Sequence, residues 1–301
     1  MFQTNNTNSI LGIDFGLFNS VACLLKNGET EVVCENKNPN RCCFPSFVEY
    51  NGNEVLIGSV AKKRRVYGLS KYCVCCVKRL IGLKWDEYER IENKDMFGCE
   101  VVCGVDGYPR LIVSDDGRQV SAIEVVCEVF GKMKADAEVC NGGPIDECVL
   151  TVPVLFNDSQ REAMKSVAER VGLNVKAIIV EPIAAAMSWY LNNEKSLSVG
   201  DMVLVLDFGS DMFDISLLKC DENDRLCVID TDGDPNMGGK NVDIEIAKEV
   251  CRIVEKNEGI SFDPLKTKKR ERFLSVCEEA KRQLSSCESC YIDLSDFNCD
   301  V

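Results

Sequence analysis

Two stretches of this chain end a short apolar run on the same corner: "ILGIDFGLFNS", Ile10 to Ser20, and "VLVLDFGSDMFD", Val203 to Asp214. Each stops on Asp-Phe-Gly, and each continues into a second apolar run, a polar turn and a third run. In the first half, Ile10 to Asp14 leads to Val21 to Leu25, a turn at Asn27-Gly28, and Thr30 to Cys34. Asn-Gly between apolar runs is a strong hairpin signal. In the second half, Val203 to Asp207 leads to Phe213 to Lys219, the turn "CDENDR" and Leu226 to Asp230. An internal echo of this kind restricts the fold to two related halves, each opening with an antiparallel meander.

Helical segments separate the echoes. "SAIEVVCEVFGKMKADAEVC", Ser121 to Cys140, carries Ser121 as an N-cap with Glu124 three residues on, the spacing of a capping box. "DECVLTVP" reads as a buried strand ended by Pro153, and "NDSQREAMKSVAERVGL" as a helix begun at Asn157 or Asp158 and stopped at Gly172. "VKAIIVEP" is a further strand and "IAAAMSWYL" a further helix, so the order is that of an α/β half. After Gly239 the chain is mostly helical. The polar stretch Asn192 to Asp201 is the expected seam, which divides the chain into residues 1–195 and a shorter second half, 196–301, whose sheet is expected to lack strands or helices.

Composition excludes several classes. With 35 Lys plus Arg against 49 Asp plus Glu, the net charge of -14 argues against a nucleic-acid or anionic-membrane partner. The basic run Ala61 to Arg65 reads as a solvated helix face. No run of about eighteen apolar residues is present to span a membrane. The opening "MFQTNNTNS" lacks the basic and apolar regions of a secretory signal, so a cytoplasmic location is expected. The chain has no His, which removes every mechanism resting on an imidazole. Of the 19 cysteines, Cys23, Cys127 and Cys148 stand where the pattern wants a small buried hydrophobe, as reduced thiols do. The groups Cys73 to Cys76 and Cys287 to Cys290 resemble halves of a zinc site only weakly, since just the second has the Cys-x-x-Cys spacing.

An Asp at the carboxyl end of a strand, with Gly two residues on, sets a carboxylate beside a turn whose backbone N–H groups are open, and such concavities hold phosphate oxygens. Two such corners across a cleft would grip a triphosphate, with hydrated magnesium bridging carboxylates and phosphates. The tripeptide alone carries little weight. The kinase motifs that would give it another meaning are missing, and two ordinary strand-end turns are the plainer alternative.

The surrounding residues decide between these readings. "LTVPVLFNDSQREAMKSVAERVGLNV", "VEPIAAAMSWYL", "VKRLIGLKWD" and "GDPNMGGKNVD" resemble, in collinear order from about Ile10 onward, the ATPase domain of the seventy-kilodalton heat-shock chaperone family within the actin-like superfamily. The resemblance implies an α/β, actin-like ATPase fold with two lobes around a nucleotide cleft, the second lobe incomplete. It implies ATP or ADP with Mg2+ as cofactors, and unfolded-protein clients or co-chaperones as partners in protein folding and the stress response. Carried over by position, Asp14, Asp207 and Glu181 would hold the metal through its waters, and Lys78 would contact the phosphates and help place the attacking water. Gly16, Leu17 and Phe18 would form the first phosphate turn; Gly209, Ser210, Asp211 and Asp214 the second; and Gly238 and Gly239, like Gly209, would offer backbone N–H groups. Glu278, Lys281, Arg282 and Ser285 would stack on adenine and bind the ribose, their spacing being that of one helix face.

The departures matter equally. Leu17 and Phe18 stand where the family carries two threonines, so two hydroxyl donors are lost. The family's second turn, Asp-x-Gly-Gly-Gly-Thr, reads here Asp207-Phe208-Gly209-Ser210-Asp211-Met212. A carboxylate at Asp211 about 4 Å from a polyphosphate costs on the order of 4 kcal/mol at an effective dielectric near 20, about a thousandfold in affinity. Two functions are therefore expected: an ATP-binding chaperone ATPase with weak hydrolysis, or a non-hydrolysing relative of the same fold that acts in nucleotide exchange.

Overall fold

The structure is a computed structural model, and it describes residues 9–193 and 196–297. Glu194 and Lys195, at the expected seam, lie outside the described residues, as does the opening segment read for a secretory signal, apart from Ser9.

The chain begins with β1 (Ile10–Asp14), β2 (Asn19–Lys26), β3 (Glu29–Val32) and the short β4 (Phe44–Pro45). β5 (Val48–Asn51), β6 (Glu54–Ile57), helix α1 (Ser59–Val66) and β7 (Cys73–Val74) follow. The short α2 (Trp85–Tyr88) precedes β8 (Val101–Cys103), β9 (Pro109–Ile112) and β10 (Gln119–Ser121). Then come α3 (Ala122–Asn141), β11 (Glu147–Val152), α4 (Asp158–Arg170), β12 (Asn174–Val180) and α5 (Glu181–Asn192). The second echo forms β13 (Met202–Phe208), β14 (Phe213–Cys220) and β15 (Leu226–Asp234), followed by α6 (Gly239–Glu258) and α7 (Arg270–Gln283).

The principal sheet has the order β12-β11-β1-β2-β3, with β4 paired to β2. β1 runs antiparallel to β2 and parallel to β11, the mixed pairing that an α/β half with an opening meander requires. In β11, Cys148, Leu150 and Val152 are fully buried, and in β1 so are Leu11 and Ile13. Helix α3 covers this sheet, and Phe130 meets Phe15 edge to face with ring centroids 5.8 Å apart. Its N-terminus carries the expected capping box: Glu124 N–H donates to Ser121 Oγ at 3.2 Å, and Ser121 N–H to Glu124 Oε2 at 2.7 Å. Asn157 and Gln160 cap α4 in the same way.

α5 differs from its expectation. Glu181 and Pro182, read as the end of a strand, form the first turn of this helix, where a missing proline N–H costs nothing. Glu181 thus sits at a helix N-terminus, whose dipole favours its carboxylate.

By contacts the chain forms two compact units, interleaved in sequence. One contains the residues up to Lys62, Tyr72–Val205 and Ser216–Thr231; the other contains Lys63–Lys71, Leu206–Ile215 and the residues from Asp232 onward. The second unit packs α6 and α7 around Phe262, Phe273 and Phe297, with Ala247, Cys251 and Cys277 completing a small core. The meander of the second half, β13-β14-β15, is a sheet of three strands.

The cysteines depart from the expectation at one place. Cys148 is buried and Cys23 and Cys127 are half-buried thiols, but Cys34 and Cys42 are joined in a disulfide. The thiols of Cys73 and Cys75 donate to the backbone carbonyls of Ala61 and Met96, so this buried group is packing within the β7 region rather than half of a zinc site.

Candidate functional site

The first Asp-Phe-Gly corner is held by the parallel register of β1 and β11, which sets Asp14 opposite Thr151. Thr151 Oγ1 donates to Asp14 Oδ1 at 2.8 Å, so the exposed carboxylate at the strand end has a fixed orientation. Gly16 is required sterically, since a Cβ there would collide with the Asn19 carbonyl. The turn is then tied down by two buried serines. Gly16 N–H donates to Ser20 Oγ at 3.3 Å, Ser46 Oγ donates to the Gly16 carbonyl at 2.9 Å, and the two hydroxyls lie 2.8 Å apart. Ser46 N–H donates to the Phe18 carbonyl at 2.8 Å. Leu17 turns into the core and Phe18 packs on Phe47, ring centroids 6.1 Å apart. The side chains that replace the two threonines are therefore spent on packing.

Lys78 and Glu181 meet across the same unit. Lys78 Nζ lies 2.7 Å from Glu181 Oε1, the side chains being 11% and 17% exposed, so water screens the pair weakly. Lys78 belongs to a single 3-10 turn, Val77 to Leu80. Cys76, immediately before it, holds the left-handed conformation with φ 58° although it is not glycine. Such a conformation costs on the order of 1 kcal/mol and persists where the surroundings impose it. Here it aims the turn that delivers Lys78.

The second corner is built within the other unit. Gly209 N–H donates to the Met212 carbonyl, Gly239 N–H to the Gly209 carbonyl and Lys240 N–H to the Ser210 carbonyl, each at 2.9 Å. Gly238 N–H donates to Asn241 Oδ1 at 2.8 Å. The three glycine N–H groups expected to face phosphates thus already have acceptors inside the turn. Gly238 is buried, and a Cβ on it would come within 2.5 Å of the Asp211 amide nitrogen and 2.6 Å of the Ser210 carbonyl carbon. Since its φ is extended, space and not conformation demands glycine. Asp214 lies beside Gly233, whose added Cβ would approach Asp214 Oδ1 to 3.1 Å.

α7 brings the expected adenosine-binding residues to this turn only in part. Lys281 Nζ donates to the Gly239 carbonyl at 2.9 Å and pairs with Asp243 at 2.7 Å. Glu278 is half-buried, and Arg282 is exposed. The expected single helix face is cut short, because α7 ends at Gln283 and Ser285 lies in the turn beyond it.

Nothing in the sequence reading points to Thr151, Ser20 or Ser46 as supports of the site, and Cys76 enters it only as part of a weak zinc-like group. Ser20 alone left a signal there: alternation along β2 turns it inward, and a buried hydroxyl needs a partner. A family model described as Hsp70 protein matches residues 10–300 of the chain.

Proposed function

Because the chain belongs to the Hsp70 family, whose ATPase domain has the actin-like fold, we propose that this chaperone-type module binds Mg-ATP between two lobes, 1–195 and 196–301, and hydrolyses it weakly. In this reading Asp14, Asp207 and Glu181 order the water shell of the metal. Lys78 meets the phosphates. Gly16, Leu17 and Phe18 border one phosphate turn, and Gly209, Ser210, Asp211, Asp214, Gly238 and Gly239 form the other. Glu278, Lys281, Arg282 and Ser285 receive the adenosine.

The observation that carries the reading is the ion pair of Lys78 and Glu181. A largely buried ammonium and carboxylate are expensive unless the site uses them, and these two are held by a strained turn and a helix N-terminus. The donor set suits the group: carboxylate oxygens match a hard cation that keeps its waters, and Gly16 and Gly238 are places where only a glycine leaves room for the backbone path. When bound, magnesium offsets the charge of the phosphates and holds them in line for displacement. The protein's own share is positional. Thr151 fixes the rotamer of Asp14, and the Lys78 ammonium lies 6.0 Å from the centre of the Phe156 ring.

A second reading has its own support: a nucleotide-binding relative without turnover, acting in exchange or as a co-chaperone. It is favoured by the internal acceptors of the Gly209, Gly238 and Gly239 N–H groups and by Leu17 packed into the core. Single-turnover hydrolysis of labelled ATP, with calorimetric titration of Mg-ATP, separates the two. Turnover lost in Lys78→Ala supports the first. Micromolar binding without turnover establishes the second, and absence of binding overturns both. Unfolded-protein clients, co-chaperones and a cytoplasmic, stress-related role come with the family reading. Among the described residues no helix is long and apolar enough to cross a membrane.

A further inference from the structure

We propose that Cys34 and Cys42 are a reversible thiol–disulfide site for low-molecular-weight thiols of the glutathione class, and that its redox state sets the order of the Gly16–Phe18 turn. The two cysteines close a loop of eight residues' separation, with Cα atoms 4.1 Å apart. The loop keeps its path by other bonds as well. Glu35 N–H donates to the Arg41 carbonyl at 2.9 Å, Asn38 N–H to Glu35 at 3.1 Å and Arg41 N–H to Asn38 at 2.8 Å. Its buried Glu35 accepts from the Ser59 N–H at 3.0 Å and from the Ser59 hydroxyl. A reduced pair is thereby kept within reach of re-oxidation. Both cysteines are half-buried, and the loop between them carries the exposed, positively charged Lys37 and Arg41. In an acidic chain that charge draws an anionic thiolate or a peptide thiol bearing carboxylates.

The link to the turn is short. Cys42 is followed, after Cys43, by β4, where Phe44 pairs with Ser20 and Pro45 with Asn19. The next residue, Ser46, binds the Phe18 and Gly16 carbonyls and the Ser20 hydroxyl. Oxidation anchors the entry to this clamp two residues before it begins; reduction frees that entry. The exchange balances. An external thiolate attacks one sulfur, a mixed disulfide forms, and the Cys34–Cys42 bond breaks with its electron pair on the other sulfur, which takes a proton from water. A second thiolate displaces the remaining cysteine, giving the external disulfide and two protein thiols, and the external disulfide reverses the sequence.

The importance of this site for nucleotide rests on the reading above, so its test does not use nucleotide alone. The full chain is equilibrated in glutathione buffers of graded oxidation. Differential alkylation with peptide mass spectrometry reads Cys34 and Cys42, and hydrogen exchange reads residues 14–20 and 42–47. Cys43→Ser removes the neighbouring exposed thiol, and Cys34→Ala/Cys42→Ala serves as the permanently open control. Expected are a two-electron transition of that pair and exchange in 14–20 faster by about three- to tenfold on reduction, a change absent from the open control. Free thiols at both positions throughout the series, or exchange in 14–20 indifferent to redox state in the wild-type chain, overturn the proposal. Parallel Mg-ATP titrations keep the failures apart: a redox response in exchange with no nucleotide binding in either state refutes the nucleotide reading and leaves this one standing.

Discussion

At the residue scale, Lys78 and Glu181 form the most consequential pair. Removing one partner leaves a mostly dry charge without its counter-ion, so Lys78→Ala is expected to destabilise the fold by about 3 kcal/mol, the low end for a buried pair. Lys78→Ala/Glu181→Ala should be less destabilised than the sum of the single variants, with a coupling of about 1–3 kcal/mol read from denaturant melts. Additive single effects would show that the contact carries no energy. A different residue-scale effect comes from thiols. Burial pushes Cys148 up to about 11, and burial with the nearby Asp243 and Cys251 pushes Cys277 up to about 12. The unfolded chain loses those protons near the ordinary thiol value while the folded chain keeps them, so the stability they contribute is complete below that value and falls as pH rises toward the folded values. Melting temperature should decline between about pH 9 and 11, and Cys148→Ala should flatten that decline. An unchanged slope in this variant would refute the assignment.

At the element scale, the second corner is where geometry constrains sequence most tightly. Gly238 caps α6 and lies against the backbone of Ser210 and Asp211. Gly238→Ala must displace that backbone, since the obstruction is main chain and not a flexible side chain. The expected outcome is a loss of Gly239 N–H protection in hydrogen exchange and weaker Mg-ATP binding, while Ser121→Ala costs only about 1 kcal/mol of cap energy and leaves binding intact. Wild-type protection at Gly239 in the Gly238→Ala variant would mean that the turn has slack the structure does not show. The elements themselves were largely legible. Period, caps and the Asn27-Gly28 turn placed β1 to β3, α3 and α4, because each of those signals is local. Glu181 and Pro182 misled, because proline closes a strand and opens a helix equally well, and only packing chooses.

At the scale of the whole molecule, a net charge of -14 means that the compact state works against its own repulsion. Raising salt from low to physiological strength should therefore raise the melting temperature, and a fall would show that favourable ion pairs outweigh that repulsion. The amino-acid sequence by itself determined the family, the α/β alternation and the twin corners, since all of these are written in short-range pattern. It could not give the pairings. Thr151 reaches Asp14 from 137 positions away and Lys78 reaches Glu181 from 103. Those meetings follow from strand register and helix placement, which no local stretch encodes. The same holds for the Cys34–Cys42 bond and for the glycine N–H groups, whose acceptors are the Met212 and Gly209 carbonyls and the Asn241 side chain. A hydrogen-bond donor declares its chemistry in one dimension, but the atom that takes its proton is chosen only when the chain has folded in three.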